Sequence, residues 1–481
     1  MHIRLKNIGL IRDSDISLDG LTVITGKNNS GKTTVGKTLY AILEATSNLR
    51  QKAKFDRSEY IKKQLNLVEE ELSQGHFFDN SPENTSVFSS FSDYPALATL
   101  FFENFKTRVS LQEIEDYAHK VDEELRTIDS KVMETYRLPR VFHRYDKKSA
   151  AWVAHEISVE FEEERAKALA ILTKLFENLN KDSELTDYAR EIVNQTLRTE
   201  FNGQIQPIRR PDVVSTVVLS EDGEDSPDYF RFSIANDNII NDGNPVFFAS
   251  PFKRAYMIDD PFILDKETGI QLAKWSWQES KTIFNPTRIH THSYRLRNVL
   301  RSTSAINTFE QTILNDSLKP IKEQIDRVIP GTFEFSSQGD YYVRDGVKVK
   351  ISNMATGSKM FSIIRLLLEK GELNSSTMLI LDEPEAHLHP QWQNSFAEII
   401  VLLVKELGVN VLLTTHSPNF MLALDAHMRK YSINDLANFY QTDTLEDGFV
   451  RYRCVNDDVG LIYDDFLQYL SEMKILRNQY L

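Results

Sequence analysis

Eight residues constrain this chain more than any other feature: Gly26-Lys27-Asn28-Asn29-Ser30-Gly31-Lys32-Thr33. They match G-x-x-x-x-G-K-[ST] without a gap. A short β-rich run, Leu21–Thr25, precedes them, and a helical pattern opens at Thr34 and continues to about Leu49 with Val35, Leu39, Ile42 and Leu43 on one side. Glycines let the backbone curl until successive N–H groups point at one centre, and the positive end of the following helix deepens that field. Such a cradle fits phosphate. Gly26, Asn28, Asn29, Ser30, Gly31, Lys32, Thr33 and Thr34 are therefore the expected ATP contacts, with Lys32 reaching the β- and γ-phosphates and Thr33 Oγ1 a Mg²⁺ ligand. The bland alternative is a glycine turn with an exposed lysine; the strand before and the helix after argue against it.

A phosphate loop needs an acidic strand end to hold Mg²⁺ and orient water. Thr377-Met378-Leu379-Ile380-Leu381-Asp382-Glu383-Pro384 supplies one, an apolar strand of the kind buried on both faces that ends in two carboxylates. Asp382 is expected to hold the metal through its water shell, and Glu383 to polarise the attacking water. A second apolar strand, Val409–Leu413, ends in Thr414-Thr415-His416-Ser417-Pro418, which makes His416 a candidate γ-phosphate sensor. Ser352–Lys359 then brings a hydroxyl, a glycine and a second small residue to the start of the helical run Met360–Glu369, another anion-binding nest. Two nests for one nucleotide imply a dimer in which Thr356, Gly357 and Ser358 cap the partner's ATP.

The chain has 481 residues, about three domains' worth, and one cysteine, Cys454, which rules out an internal disulfide, a Cys-rich zinc site and an iron–sulfur cluster. Its net charge of −14 excludes a uniformly basic nucleic-acid coat, and no apolar run approaches the ~18 residues that cross a bilayer. No membrane partner is expected, and with no signal-peptide core in Met1–Leu10 the expected setting is the cytoplasm. Residues 51–205 read as a helical insertion, whether hairpin or small bundle. Leu111, Ile114, Ala118, Val121, Leu125, Ile128 and Val132 keep an a/d heptad spacing, Leu138-Pro139 interrupts it, and Leu169, Leu172, Phe176 and Leu179 mark a second helical stretch. The spacing leaves open a projecting hairpin and a compact helical subdomain. Residues 206–335 read as β-rich (Val213–Leu219, Tyr229–Ile234, Val246–Ser250) and then helical, and 336–481 as the second half of the domain that 1–50 begins.

The order and content of these motifs resemble the ABC-type ATPases: P-loop at 26–33, a signature-like Ala355-Thr356-Gly357-Ser358-Lys359, Walker B at Asp382-Glu383, and a switch histidine at His416. About 320 residues separate Thr33 from Ser352, more than a compact transporter domain allows. Asp-Glu-Pro-Glu-Ala-His-Leu-His-Pro (382–390) and Thr-His-Ser-Pro (415–418) look like the OLD/SMC-like branch, as in the ATPase subunits of Septu, PARIS and retron anti-phage systems. The resemblance covers residues 1–45 and 340–420. It implies an α/β ABC-type P-loop nucleotide-binding domain with a helical insertion between its halves. ATP and Mg²⁺ are the implied cofactors, and head-to-tail self-association into a homodimer or higher even oligomer sandwiches the ATP. The sequence departs from the family pattern at Thr356 (usually serine), Ser358 (usually glycine) and His389, where transporters carry aspartate. His387-x-His389 beside Glu385 is either a metal pair or a loop facing the other subunit. Ala255–Asp260 is the candidate for the glutamine-loop region.

Two basic patches stand out from the acidic background as candidates for DNA or RNA contact. Arg137, Arg140, Arg144, Lys147 and Lys148 are interleaved with Tyr136, Phe142 and Tyr145, and Arg295 and Arg297 lie in the acid-free run Ser280–Phe309. The alternative for both is a counter-surface for the chain's own acidic loops or for an acidic partner. About 60 residues follow His416, too few for the TOPRIM domain some OLD proteins carry, and no His-Asn-His pattern with metal-like spacing is visible, so no intrinsic nuclease is expected. The expected function is a Mg²⁺-dependent ATPase that acts as sensor or regulator of a bacterial anti-phage complex with a separate effector, a nuclease. The alternatives are an SMC-like DNA-repair or chromosome-maintenance clamp, and a scaffold ATPase without nucleic-acid contact.

Overall fold

The computed structural model describes residues 1–53, 185–221, 228–240, 250–265, 290–302, 308–336 and 339–479, together with scattered positions between 55 and 178. The heptad run Leu111–Val132, the apolar positions Leu169, Leu172, Phe176 and Leu179, and the basic cluster Arg137–Lys148 lie outside the described residues. The chain divides into two compact units, one formed by Met1–Leu49 with Thr186–Leu481 and the other by Arg50–Leu185.

In chain order the first unit runs β1 (His2–Ile8), β2 (Ile11–Ser17), β3 (Leu21–Thr25), α1 (Lys32–Thr46), α2 (Leu185–Glu200), β4 (Ser215–Ser220), β5 (Asp228–Ala235), β6 (Asn238–Ile240) and β7 (Arg254–Ile258). It continues with α3 (His292–Arg301), α4 (Thr308–Val328), β8 (Thr332–Ser336), β9 (Gly339–Arg344), β10 (Val347–Lys350), α5 (Thr356–Glu369) and β11 (Thr377–Asp382). The last elements are α6 (Pro390–Leu407), β12 (Asn410–Thr415), α7 (Pro418–Tyr431), β13 (Ala437–Thr444), β14 (Val450–Cys454) and α8 (Gly460–Gln479). Among the described residues the strands form an eleven-stranded sheet, β6-β5-β4-β1-β2-β14-β13-β3-β12-β11-β7, and a separate antiparallel sheet β10-β9-β8. No helix of the described residues is long and apolar enough to cross a membrane.

The functional geometry rests on the parallel portion β13-β3-β12-β11-β7. Met378–Leu381 and Val411–Leu413 are continuous apolar runs, and Leu21–Thr25 mixes Leu21, Val23 and Ile24 with two threonines; all are buried, as in parallel strands covered on both faces. Register brings their carboxyl ends level. Asp382 pairs with Thr414 across β11 and β12, while Thr414 and Thr415 pair with Ile24 and Thr25 across β12 and β3. Loops leaving these three strands therefore start from one sheet edge, where ligands of open α/β sheets collect.

On one face α5, α6 and α7 pack through a run of aromatic contacts. Phe361 lies edge-on to Trp392 at 5.8 Å and to Phe396 at 5.2 Å, and Phe396 stacks on Phe420 at 6.4 Å. Near the C-terminus β13 and β14 form an antiparallel pair, and β8, β9 and β10 form a three-stranded antiparallel meander. On the last helix, α8, Ile462 is buried.

The expected insertion, 51–205, reaches past the division at Leu185. Helix α2 belongs to the first unit, with Ala189, Val193 and Leu197 fully buried. Its helical period matched that of the insertion, and periodicity does not say what a stripe packs against. Within Arg50–Leu185 the described positions at both ends are helical, and Asn178 Nδ2 donates to Tyr60 Oη at 3.0 Å, so the two ends of that unit touch.

Candidate functional site

Gly26 follows β3 at φ 155°, where a side chain would collide with Thr442: a Cβ would come within 1.7 Å of Thr442 Oγ1. Gly31 caps α1 with left-handed backbone at φ 77°, which opens the first-turn N–H groups toward the loop. Lys32 is 4% exposed, and its Nζ donates to Gly26 O at 3.0 Å and Lys27 O at 2.9 Å. Asn28, Asn29, Ser30, Gly31, Lys32, Thr33 and Thr34 all line one cavity of about 610 Å³ with Glu383. Buried Ser30 Oγ has no hydrogen-bond partner among the described residues, an orphan that a phosphate oxygen would satisfy.

Across the sheet edge, Thr33 Oγ1 donates to Asp382 Oδ2 at 2.6 Å and Thr414 Oγ1 donates to Asp382 Oδ1 at 2.5 Å. Burial raises the Asp382 carboxyl above its ordinary range, and the two hydroxyls oppose that rise only in part. A buried carboxylate beside a hydroxyl is a hard oxygen pair that suits Mg²⁺, which takes few protein ligands and completes its shell with water and phosphate. The residues present fit that ion: Thr33 and Asp382 would hold it, and it would supply charge neutralisation to the phosphates.

Glu383 has left-handed backbone at φ 49°, a strained conformation for a non-glycine residue, fixed by its N–H donating to Thr414 O and Thr414 Oγ1, each at 3.1 Å. Its Oε1 lies 3.5 Å from Lys32 Nζ and 3.3 Å from His416 Nδ1. Lys32 and His416 thus converge on one carboxylate oxygen of Glu383.

Three supporting residues have no role assigned by the sequence reading, although Glu385 and Thr415 lie within the quoted motifs. Glu385 is 2% exposed, and its Oε1 accepts from the Thr415 hydroxyl and, at 3.3 Å, from His416 N; burial raises its carboxyl. Thr415 was visible only as part of the run before His416. Tyr452, on β14, donates to Ser30 O at 3.1 Å and braces the P-loop, its phenol pushed well up by burial.

The signature-like residues stand elsewhere. Helix α5 begins at Thr356 after Ala355, whose side chain provides no cap, so its first-turn N–H groups have no side-chain partner at that position. Thr356, Gly357 and Ser358 are not among the residues lining the P-loop cavity. Gly357 is buried against Trp392, and Lys359 is turned inward to Asp265 Oδ2 at 2.6 Å and Ser352 O at 3.0 Å.

Ala255–Asp260 forms β7 and the residues after it, paired in parallel with β11. There Asp259 Oδ1 lies 2.9 Å from His292 Nε2, and Glu200 Oε2 lies 2.6 Å from His292 Nδ1. His389 caps α6, accepting from Gln391 N at 3.4 Å, and His387 packs edge-on against Phe262. Of the second basic patch, Arg295 forms an ion pair with Glu44, and Arg301 binds Asp340 Oδ1 at 3.0 Å. Arg297 sits over the Tyr294 ring at 5.5 Å. The charges of Arg295 and Arg301 are engaged within the fold itself.

A parallel α/β core with a P-loop, an acidic strand end and a histidine at one edge has the fold of the ABC-type P-loop ATPases. The chain belongs to the family described as "AAA domain, putative AbiEii toxin, Type IV TA system", whose model matches residues 21–423. Among solved structures it is similar to an SMC head domain from Thermotoga maritima, 11% identical, with 94% of this chain and 98% of that chain covered at a TM-score of 0.34. It is also similar to an Smc head domain with a coiled coil and joint from Pyrococcus yayanosii, 12% identical, with 98% and 99% covered at a TM-score of 0.33.

Proposed function

We propose that the chain binds and hydrolyses ATP with Mg²⁺, that ATP joins two copies head to tail, and that this engine is the sensor or regulator of a bacterial anti-phage complex. The toxic chemistry belongs to a separate effector, a nuclease. One observation carries the catalytic part: Glu383 Oε1 lies within 3.5 Å of Lys32 Nζ and 3.3 Å of His416 Nδ1. Glu383 takes the proton of the attacking water, Lys32 neutralises charge on the β- and γ-phosphates, and His416 donates to a γ-phosphate oxygen.

Thr356, Gly357 and Ser358 do not line the cavity that Lys32 and Glu383 share, which supports a signature supplied by the partner copy. The defence setting is supported by the family's description, which names a toxin and a Type IV TA system. A second reading is an SMC-like DNA-repair or chromosome-maintenance ATPase that clamps DNA through Arg137, Arg140, Arg144, Lys147 and Lys148, basic residues of the unit whose two ends touch at Tyr60 and Asn178. Affinity purification from native cells, with ATP and the Glu383→Gln variant, separates the two. A nuclease recovered in fixed stoichiometry supports the first; dimers that load on DNA without a protein partner support the second and overturn the first.

A further inference from the structure

The P-loop cavity has a second wall that no motif marks, made by Phe201, Gln204, Pro207, Ile208 and Arg209 and backed by Phe449. Hydrogen bonds behind it fix its shape. Asp237 Oδ1 accepts from Ile205 N and Gln206 N, each at 2.7 Å, and the buried Gln206 amide donates to Val213 O at 2.6 Å and Ile234 O at 3.2 Å. Gly9 N donates to Ile205 O at 3.0 Å, which ties the segment to the β1–β2 turn beside the P-loop. Ile205, Gln206 and Pro207 are buried, while Ile208 is 77% exposed and lines the cavity. Arg209 lies so close to Gly448 that a Cβ there would come within 2.6 Å of its Nη1.

An exposed isoleucine on a rigid segment, beside a proline, an amide and a guanidinium, is a surface with an apolar face and a polar rim. A nucleobase has the complementary form: flat apolar faces and a hydrogen-bonding edge. A triphosphate seated on the P-loop carries its nucleoside into the same cavity. We propose that the nucleoside of the bound triphosphate docks on this wall, with Ile208 and Pro207 covering a face of the base and Gln204 and Arg209 meeting its edge and ribose. The inference rests on the nucleotide-site reading above and adds the residues that would recognise the nucleoside.

Calorimetric titration of the full chain with Mg-ATP and with magnesium tripolyphosphate separates phosphate recognition from nucleoside recognition. Ile208→Asp is expected to weaken ATP about tenfold or more and to leave tripolyphosphate within about twofold, while Ile208→Leu keeps both near the parent. Unchanged ATP affinity in Ile208→Asp overturns the proposal. So does a parallel loss of both ligands, which would report a disturbed loop rather than a lost nucleoside contact. A parent chain that binds neither ligand overturns the nucleotide-site reading itself, a result read without any wall variant.

Discussion

Thr33 Oγ1 donates to Asp382 Oδ2 across 2.6 Å of space and 349 residues of sequence. What holds them together is the sheet, because β12 lies between β3 and β11 and pairs with both in register. Loop closure costs grow only slowly with length, so a domain-sized segment can sit between the halves of the site once those strand pairings exist. The site depends on three short apolar strands and is indifferent to much of what separates them in sequence.

The convergence on Glu383 leads to opposite outcomes for two variants. Glu383→Gln keeps the shape and loses the base, so hydrolysis should fall about 10²–10⁴-fold while ATP still binds and nucleotide-bound dimers accumulate. Lys32→Ala removes the buried cation proposed to meet the phosphates, so ATP binding and ATP-dependent dimers should both be lost. Steady-state ATPase assays with light scattering check this; parental turnover in both variants would refute the active-site assignment.

Thr414 positions Asp382 and Glu383 together, donating to one carboxylate and accepting from the other residue's N–H. Thr414→Val keeps volume and removes both bonds. Hydrogen bonds to charged groups contribute about 1.5–3 kcal/mol, so the Mg²⁺ concentration for half-maximal ATPase should rise about tenfold or more. A titration of activity against Mg²⁺ at saturating ATP reads the change, and an unchanged midpoint would show that Asp382 needs no such support.

Much of this site is legible in the sequence because contiguous motifs encode it. Gly26–Thr33, Asp382-Glu383 and His416 each stand at the end of an apolar run, and strand register does the rest. The buried supports are not readable in that way. Glu200, Asp259 and His292 come from three separate segments with no common spacing, and Tyr452 is one aromatic among many. The wall at 201–209 is fixed by Asp237 and Gln206, partners whose long-range pairing no local pattern announces. Arg295 looked available in an acid-free run because its partner, Glu44, lies 251 residues away.

Glu385 ties the turn after β11 to the switch loop after β12, accepting from Thr415 and from His416 N. Glu385→Gln retains an oxygen for both donors, whereas Glu385→Ala leaves a buried hydroxyl and an N–H without their acceptor. The alanine variant should lose about 1–3 kcal/mol of stability and reduce kcat with little change in ATP affinity, and the glutamine variant should restore most of both. Chemical denaturation alongside kinetics tests this; equal damage from both substitutions would mean the negative charge, not the hydrogen bonds, matters.

His292 gives the fold a defined pH dependence. Burial opposes its positive charge, but Asp259 and Glu200 bind the two ring nitrogens and raise its pKa from 6.5 to about 9. A group raised in this way stabilises the folded chain fully below its unfolded value and loses that contribution as pH climbs through the folded one. Stability should therefore be greatest with respect to this cluster below about pH 6.5 and should decline toward pH 9, by about 3 kcal/mol in all. His292→Gln, which carries no titrating proton, should unfold more readily at pH 6.5 and approach the parent at pH 9.5. Urea denaturation at the two pH values measures the difference, and parallel curves for parent and variant at both would mean that the ring is neutral throughout.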